Sequence, residues 1–185
     1  AMRFFQEMTE NAETEFLGLR GLLAHAMKSG DEVRALGLAR RAHRLQSKSE
    51  WVSTSLFELQ IRAGKWVDAQ ITIDEQLRLG FTSRDDHKQQ KAVLAVQQGL
   101  ELDINDKAYQ KFKTAYDTAP EFIPAVIHHV EALIAQDKYG RAIDILVKTW
   151  KSKPHPEFVG LYWRAIRAEN PLQRVKAIDR LIQGN

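Results

Sequence analysis

The chain has 185 residues, 44% hydrophobic and 28% charged, with a net charge of +3; this balance describes a folded chain long enough for a full core. It contains no cysteine, which excludes disulfides, thiolate nucleophiles and cysteine-ligated zinc or iron–sulfur centres. No apolar run approaches the roughly 20 residues that span a bilayer, and the start "AMRFFQEMTENAETE" turns polar too soon for a secretory leader.

Apolar residues recur at three- and four-residue steps, and sustained alternation of the strand kind is absent, so the reading is all-α. Residues 3–12 read as a single leading helix. The segment "EFLGLRGLLAHAMKSGD" follows, and its Gly18 and Gly21 form a G-x-x-G. In a loop this spacing can clamp a nucleic-acid backbone. Here the glycines lie inside an apolar helical run, which predicts a shallow dent for a neighbouring helix. The next stripe is Leu36, Ala39, Ala42 and Leu45. The densest basic cluster, Arg34, Arg40, Arg41, Arg44 and Lys48, lacks the interleaved aromatics of a base-stacking surface. It reads as a solvated helix face, and nucleic acid is not an expected partner.

Self-similarity appears beyond residue 30. Gly30 and Gly64, Ala35 and Ala69, Ala108 and Ala142, and Pro120 and Pro154 are all 34 residues apart. Ala69 to Ala108 is 39, and the polar stretch "TSRDDH", residues 82–87, is expected to absorb the difference as a lengthened loop. A 34-residue period of paired helices is the tetratricopeptide signature. Ala108, Phe112, Ala115 and Pro120 carry it best: small residues let paired helices approach, Phe112 fills the space between them, and Pro120 stops the helix.

The expected organisation is one tetratricopeptide superhelix of antiparallel helix pairs over 1–185. Residues 1–15 hold the leading helix, 16–49, 50–86, 89–122 and 123–156 the repeats, and 157–185 a divergent terminal hairpin. In that hairpin "ENPLQR" replaces the glycine turn, Lys176 stands where alanine is expected, and Pro171 suits a first helical turn. Neither end carries a polar capping helix, so both read as the ends of a piece of a longer array.

With the repeats placed, "ETEFLGLRGLLAHAMKSGD", "EWVSTSLFELQIRAGKWVDA" and "KTWKSKPHPEFVGLYWRAIRAENPLQRVKAIDRL" resemble the tetratricopeptide domain of HemY-type proteins, encoded with bacterial enzymes of haem biosynthesis. The "FLGLRGL", "PHPEF" and "NPLQR" elements are its most specific parts. The resemblance implies an inner-membrane protein whose N-terminal spanning segments precede this soluble, cytoplasmic-side domain. It also implies a role in late haem or porphyrin metabolism, with haem-pathway enzymes as partners. The flavin-dependent oxidase that shares the name elsewhere is excluded, because no G-x-G-x-x-G follows a strand here.

For catalysis, acid, base and nucleophile groups must converge. His25, His43, His87, His128, His129 and His155 form no pair at metal-binding helical spacing, and adjacent His128 and His129 point about 100° apart on a helix. No enzyme activity, metal or cofactor is expected. A protein or peptide ligand is expected in a concave groove lined by the first helices of the repeats. Its candidate residues are Arg20, Trp51, Thr54, Glu58, Arg62, Gln97, His128 and Glu131. A two-carboxylate clamp is disfavoured, because Ala24, Gln90 and Leu94 occupy positions where it needs asparagine and cations. Trp66, Trp150, Tyr162 and Trp163 are expected between helices, while Trp51 borders the groove. The alternative function is a haem or porphyrin carrier using the groove with His128 or His25.

Overall fold

The computed structural model describes residues 2–103 and 106–183. Its described residues fold into helices joined by short turns. A short helix α1 (Met2–Met8) precedes five hairpins: α2 (Glu15–Ser29) with α3 (Glu32–Leu45), α4 (Glu50–Arg62) with α5 (Trp66–Leu79), α6 (Arg84–Leu100) with α7 (Asp106–Thr118), α8 (Ile123–Ala135) with α9 (Tyr139–Ser152), and α10 (Pro156–Ala165) with α11 (Pro171–Gln183). Two compact units result, residues 1–87 and 88–185.

In the first unit, Leu23, Ala26, Ala35, Leu36, Ala39, Leu56 and Leu59 form one buried cluster across α2, α3 and α4. Leu19, Ala42 and Val52 form another. The chain reverses between α2 and α3 because Gly30 adopts a left-handed φ of 73°, open to glycine at no steric cost. Asp31 then caps α3 by accepting from the Arg34 amide at 3.1 Å, satisfying a donor the helix leaves orphaned. Arg40 pairs with Asp68 on α5 at 2.7 Å, and Arg41 pairs with Glu15 on α2. Two members of the basic cluster therefore tie neighbouring helices together, at the modest energies typical of exposed pairs.

The glycines at 18 and 21 are filled against, as the apolar run predicted. A Cβ on Gly18 would lie 2.7 Å from the Phe5 carbonyl oxygen, and one on Gly21 would overlap the Phe5 ring. The α1 segment seats there. That helix is shorter than expected, ending at Met8, where Thr9 turns the chain by donating from its amide to the Gln6 carbonyl.

The core of the second unit runs through Ala108, Phe112, Val126, Val130, Leu133, Ala142, Leu146 and Phe158 to Ala177 and Leu181. Ala35, Ala69, Ala108 and Ala142 are all buried near the start of a second helix, where a side chain larger than methyl would separate the pair. Pro120 and Pro154 lie just past the ends of α7 and α9, where a missing N–H breaks no helical bond.

The expected loop at 82–87 is a correction. The link between α5 and α6 spans only 80–83, as short as 46–49 and 119–122. Residues from Arg84 onward are already helical, because Ser83 Oγ caps the Asp86 amide at 3.1 Å. Added length sits in α6, at 17 residues against 13 for α4. No helix among the described residues is long and apolar enough to cross a membrane.

Candidate functional site

In the second unit the first helices α6, α8 and α10, with Ala108 and Phe112 of α7, line a cleft of about 330 Å³. Its floor is apolar, with Leu100, Leu102, Phe112, Ala132 and Ala135, and its rim carries His128, Glu131 and Arg164. On α8, residues 128, 131, 132 and 135 fall on one face by helical spacing. Gly99 on α6 shapes the inner wall: a Cβ there would come within 2.5 Å of the Phe112 ring, so only glycine admits that ring so close. The His128 ring stacks on Phe112 with centroids 5.3 Å apart and planes at 25°.

The rim is joined through one carboxylate. His128 Nδ1 lies 3.4 Å from Glu131 Oε2, and Arg164 Nη1 donates to Glu131 Oε1 at 3.4 Å. Glu131 thus holds a histidine and an arginine over an apolar floor, an arrangement suited to gripping a side chain while offering both signs of charge to a flanking backbone or polar group. Among the described lining residues there is no hydroxyl, thiol or amine that His128 could activate as a nucleophile.

The adjacent histidine is positioned differently. His129 is buried, stacked on Tyr116 at 5.3 Å and tilted against Tyr109 at 5.5 Å, and its Nδ1 has no hydrogen-bond partner among the described residues. Burial pushes its pKa down to about 4, with Lys113 and Lys138 adding to the fall against the opposing pull of Asp117. The two imidazoles serve different surroundings, as their rotation about the helix demands. Among the described residues no cluster of three metal-ligating side chains occurs.

The first unit carries its own candidate surface. Trp51, Thr54, Glu58 and Arg62 are exposed along one side of α4, at three- and four-residue spacing. The Arg20 guanidinium on α2 lies 5.3 Å from the Trp51 ring centroid, a cation–π contact. Trp51 keeps 39% of its surface exposed, in contrast to buried Tyr162 and half-buried Trp66, Trp150 and Trp163. Arg62 reaches Glu32 on α3 at 3.8 Å.

The predicted residues thus fall into two sets. Arg20 and Trp51 are in contact, with Thr54, Glu58 and Arg62 on the same helix as Trp51, whereas His128 and Glu131 share the cleft of the second unit. Gln97 is half-buried on α6 and outside the cleft lining. Leu94, mapped to a groove position, is instead fully buried. The mapping fails there because it placed the added residues before α6 and began the third repeat at 89, whereas α6 begins at Arg84, 34 residues after the start of α4 at Glu50. Arg164, absent from the prediction, is 33 residues beyond Glu131, close to one repeat. The period could have located it had the last hairpin been included. His25 is exposed on α2.

No family model and no curated protein matches the chain. Solved structures do. A crystal structure of MamA protein shares 14% identity over 91% of each chain, with a TM-score of 0.53. The MamA RS-1 ArsTM double mutant shares 13% over 90% of this chain and 92% of its own, at 0.51. YrrB, described as a tetratricopeptide protein with an unusual peptide-binding site, shares 14% over 100% and 94% of the two chains, at 0.47. At such identities the likeness concerns the fold. Together with the helical hairpins and their recurring buried alanines, it establishes that the chain has the tetratricopeptide type of helical-repeat fold.

Proposed function

We propose that the chain is a non-catalytic interaction module whose hairpins are successive copies of one repeat and whose first-helix faces hold a protein or peptide. The carrying observation is the α8–α10 cleft: an apolar floor of side-chain size under a rim of His128, Glu131 and Arg164. The ligand it fits is a peptide that inserts a bulky apolar side chain and presents charged or polar groups beside it. Arg20, Trp51, Thr54, Glu58 and Arg62 offer a second contact surface, on which Trp51 and Arg20 have the aromatic and cationic character of binding hot spots.

The finer reading rests on the "FLGLRGL", "PHPEF" and "NPLQR" elements, which resemble HemY-type proteins. It supports a domain that holds haem-pathway enzymes near the inner membrane, on its cytoplasmic side. A haem or porphyrin carrier is the second reading. One observation favours it: the Nδ1 of His128 faces Glu131, leaving Nε2 as a ligating atom oriented by a carboxylate. Titration with haemin separates the two. A Soret shift lost in His128→Ala supports the carrier, and no saturable shift removes it.

Peptides selected from a displayed random library against the chain test the main reading. Their affinity is expected to fall at least tenfold in Ala135→Trp, which fills the cleft from an exposed position, and in Glu131→Ala, which removes the carboxylate that joins His128 and Arg164. Selected peptides that bind both variants at wild-type strength would refute the cleft as the binding site.

A further inference from the structure

The last hairpin departs from the repeat, and the departure concentrates positive charge. At the position where Ala35, Ala69, Ala108 and Ala142 are buried, the 34-residue register places Lys176. The buried small residue is Ala177 instead, one step on. That shift leaves Lys176 outside the interface between the helices, one helical turn from Arg180.

The turn before α11 is held firmly. Asn170 Oδ1 accepts from the Gln173 amide at 2.9 Å, and Gln173 Oε1 accepts in return from the Asn170 amide at 3.4 Å and from the Glu169 amide at 2.8 Å. This reciprocal capping box explains the "ENPLQR" sequence, with Pro171 in the first turn. It also fixes the Gln173 side chain and leaves its two N–H donors for another partner. Arg167 takes a left-handed φ of 56°, an uncommon place for a non-glycine residue. Its guanidinium lies 4.2 Å from the Tyr139 ring centroid.

Arg167, Gln173, Lys176 and Arg180 line a hollow of about 230 Å³ with Ile166, Ala168 and Ala177. Among the described residues no carboxylate lines it. Asp137 accepts from the Tyr139 hydroxyl at 2.6 Å; it lies outside the lining, and its charge favours the Arg167 cation. Lys176 and Arg180, like charges one helical turn apart, repel, and a bound anion would offset that; Arg167 is held at the edge of the hollow by the Tyr139 ring and hydroxyl and by the charge of Asp137. Three cations and an amide donor exceed what one carboxylate needs, and match a dianion with several acceptor oxygens.

We propose that the α10–α11 hairpin holds a phosphate-binding site formed by Arg167, Lys176, Arg180 and Gln173. The hollow is far larger than the roughly 30 Å³ share of one water, so it admits a phosphate with part of the group that carries it. That group is either a soluble phosphate monoester or a lipid headgroup.

Amide NMR of the chain titrated with inorganic phosphate and with phenyl phosphate tests the site. Saturable shifts confined to residues 166–180 are expected, weakened at least tenfold in Arg180→Gln and in Arg167→Gly. The glycine variant suits the left-handed backbone, so its thermal midpoint should hold and its loss of binding would not reflect unfolding. In parallel, the chain is sedimented with phosphatidylcholine vesicles with and without phosphatidic acid. Saturable binding of the free phosphates assigns a soluble ligand. Binding only to phosphatidic-acid vesicles, with the same loss in both variants, assigns a headgroup. Absence of saturable binding in both formats, or affinities that the two substitutions leave within twofold, would overturn the proposal.

Discussion

His129 illustrates how one residue ties stability to pH. Its imidazole is held between two tyrosines with an unpartnered nitrogen, and burial lowers its pKa to about 4. In the unfolded chain the group titrates near 6.5. Between those values the unfolded state binds the extra proton, so the stability contributed by the neutral ring is complete above about pH 6.5 and is lost as pH falls towards 4. The shift corresponds to about 3 kcal/mol at most. Urea denaturation at pH 7 and pH 4.5 should therefore show wild type losing more stability than His129→Phe, which keeps the ring stack and cannot be protonated. Parallel losses in the two proteins would contradict the assignment. Sequence alone placed His128 and His129 on diverging directions of one helix. It mapped His128 to the groove, but it did not show the tyrosine surroundings of His129, because Tyr109 and Tyr116 arrive from α7.

At the scale of elements, two glycines in helices predict opposite outcomes. A Cβ on Gly18 would meet the Phe5 carbonyl, Met8 and Thr9 within 3 Å, whereas a Cβ on Gly37 in α3 meets nothing within 4 Å. Gly37→Ala should stabilise by about 0.5–1 kcal/mol through helix propensity alone. Gly18→Ala should instead cost about 1–3 kcal/mol by overpacking and speed amide exchange in residues 2–8, since α1 loses its seat. Thermal unfolding and hydrogen exchange read both effects. The apolar run around Gly18 made its packing role legible in advance. The start of α6 was legible too, but its signal was misread. Ser83 followed three residues later by Asp86 is a helix-start pattern, yet the polar stretch around it has the composition of a loop. Leu94 was misplaced in consequence, since a repeat begun at 89 rather than at the start of α6, Arg84, is out of register with the face the helix buries.

For the whole molecule, the fold was readable because paired helices that bury one another need a small residue at the same place each time. Ala35, Ala69, Ala108 and Ala142 mark that place. The candidate sites were readable in part. The α4 face follows from spacing within one helix, and Trp51 was singled out by its position. The cleft was harder, since its rim joins Glu131 to Arg164 from the hairpin whose pattern had drifted, and its floor depends on Gly99 admitting Phe112. The central claim is that first-helix faces, rather than second-helix faces, receive a partner. A photo-crosslinking residue placed at Ala135 in the α8 cleft, and separately at exposed Lys148 on α9, tests it most directly in the protein's native cells. The account predicts a discrete crosslinked protein from position 135 that disappears when Arg164→Ala is added, and none from position 148. The same adducts from both positions, or an adduct at 135 indifferent to Arg164, would contradict it.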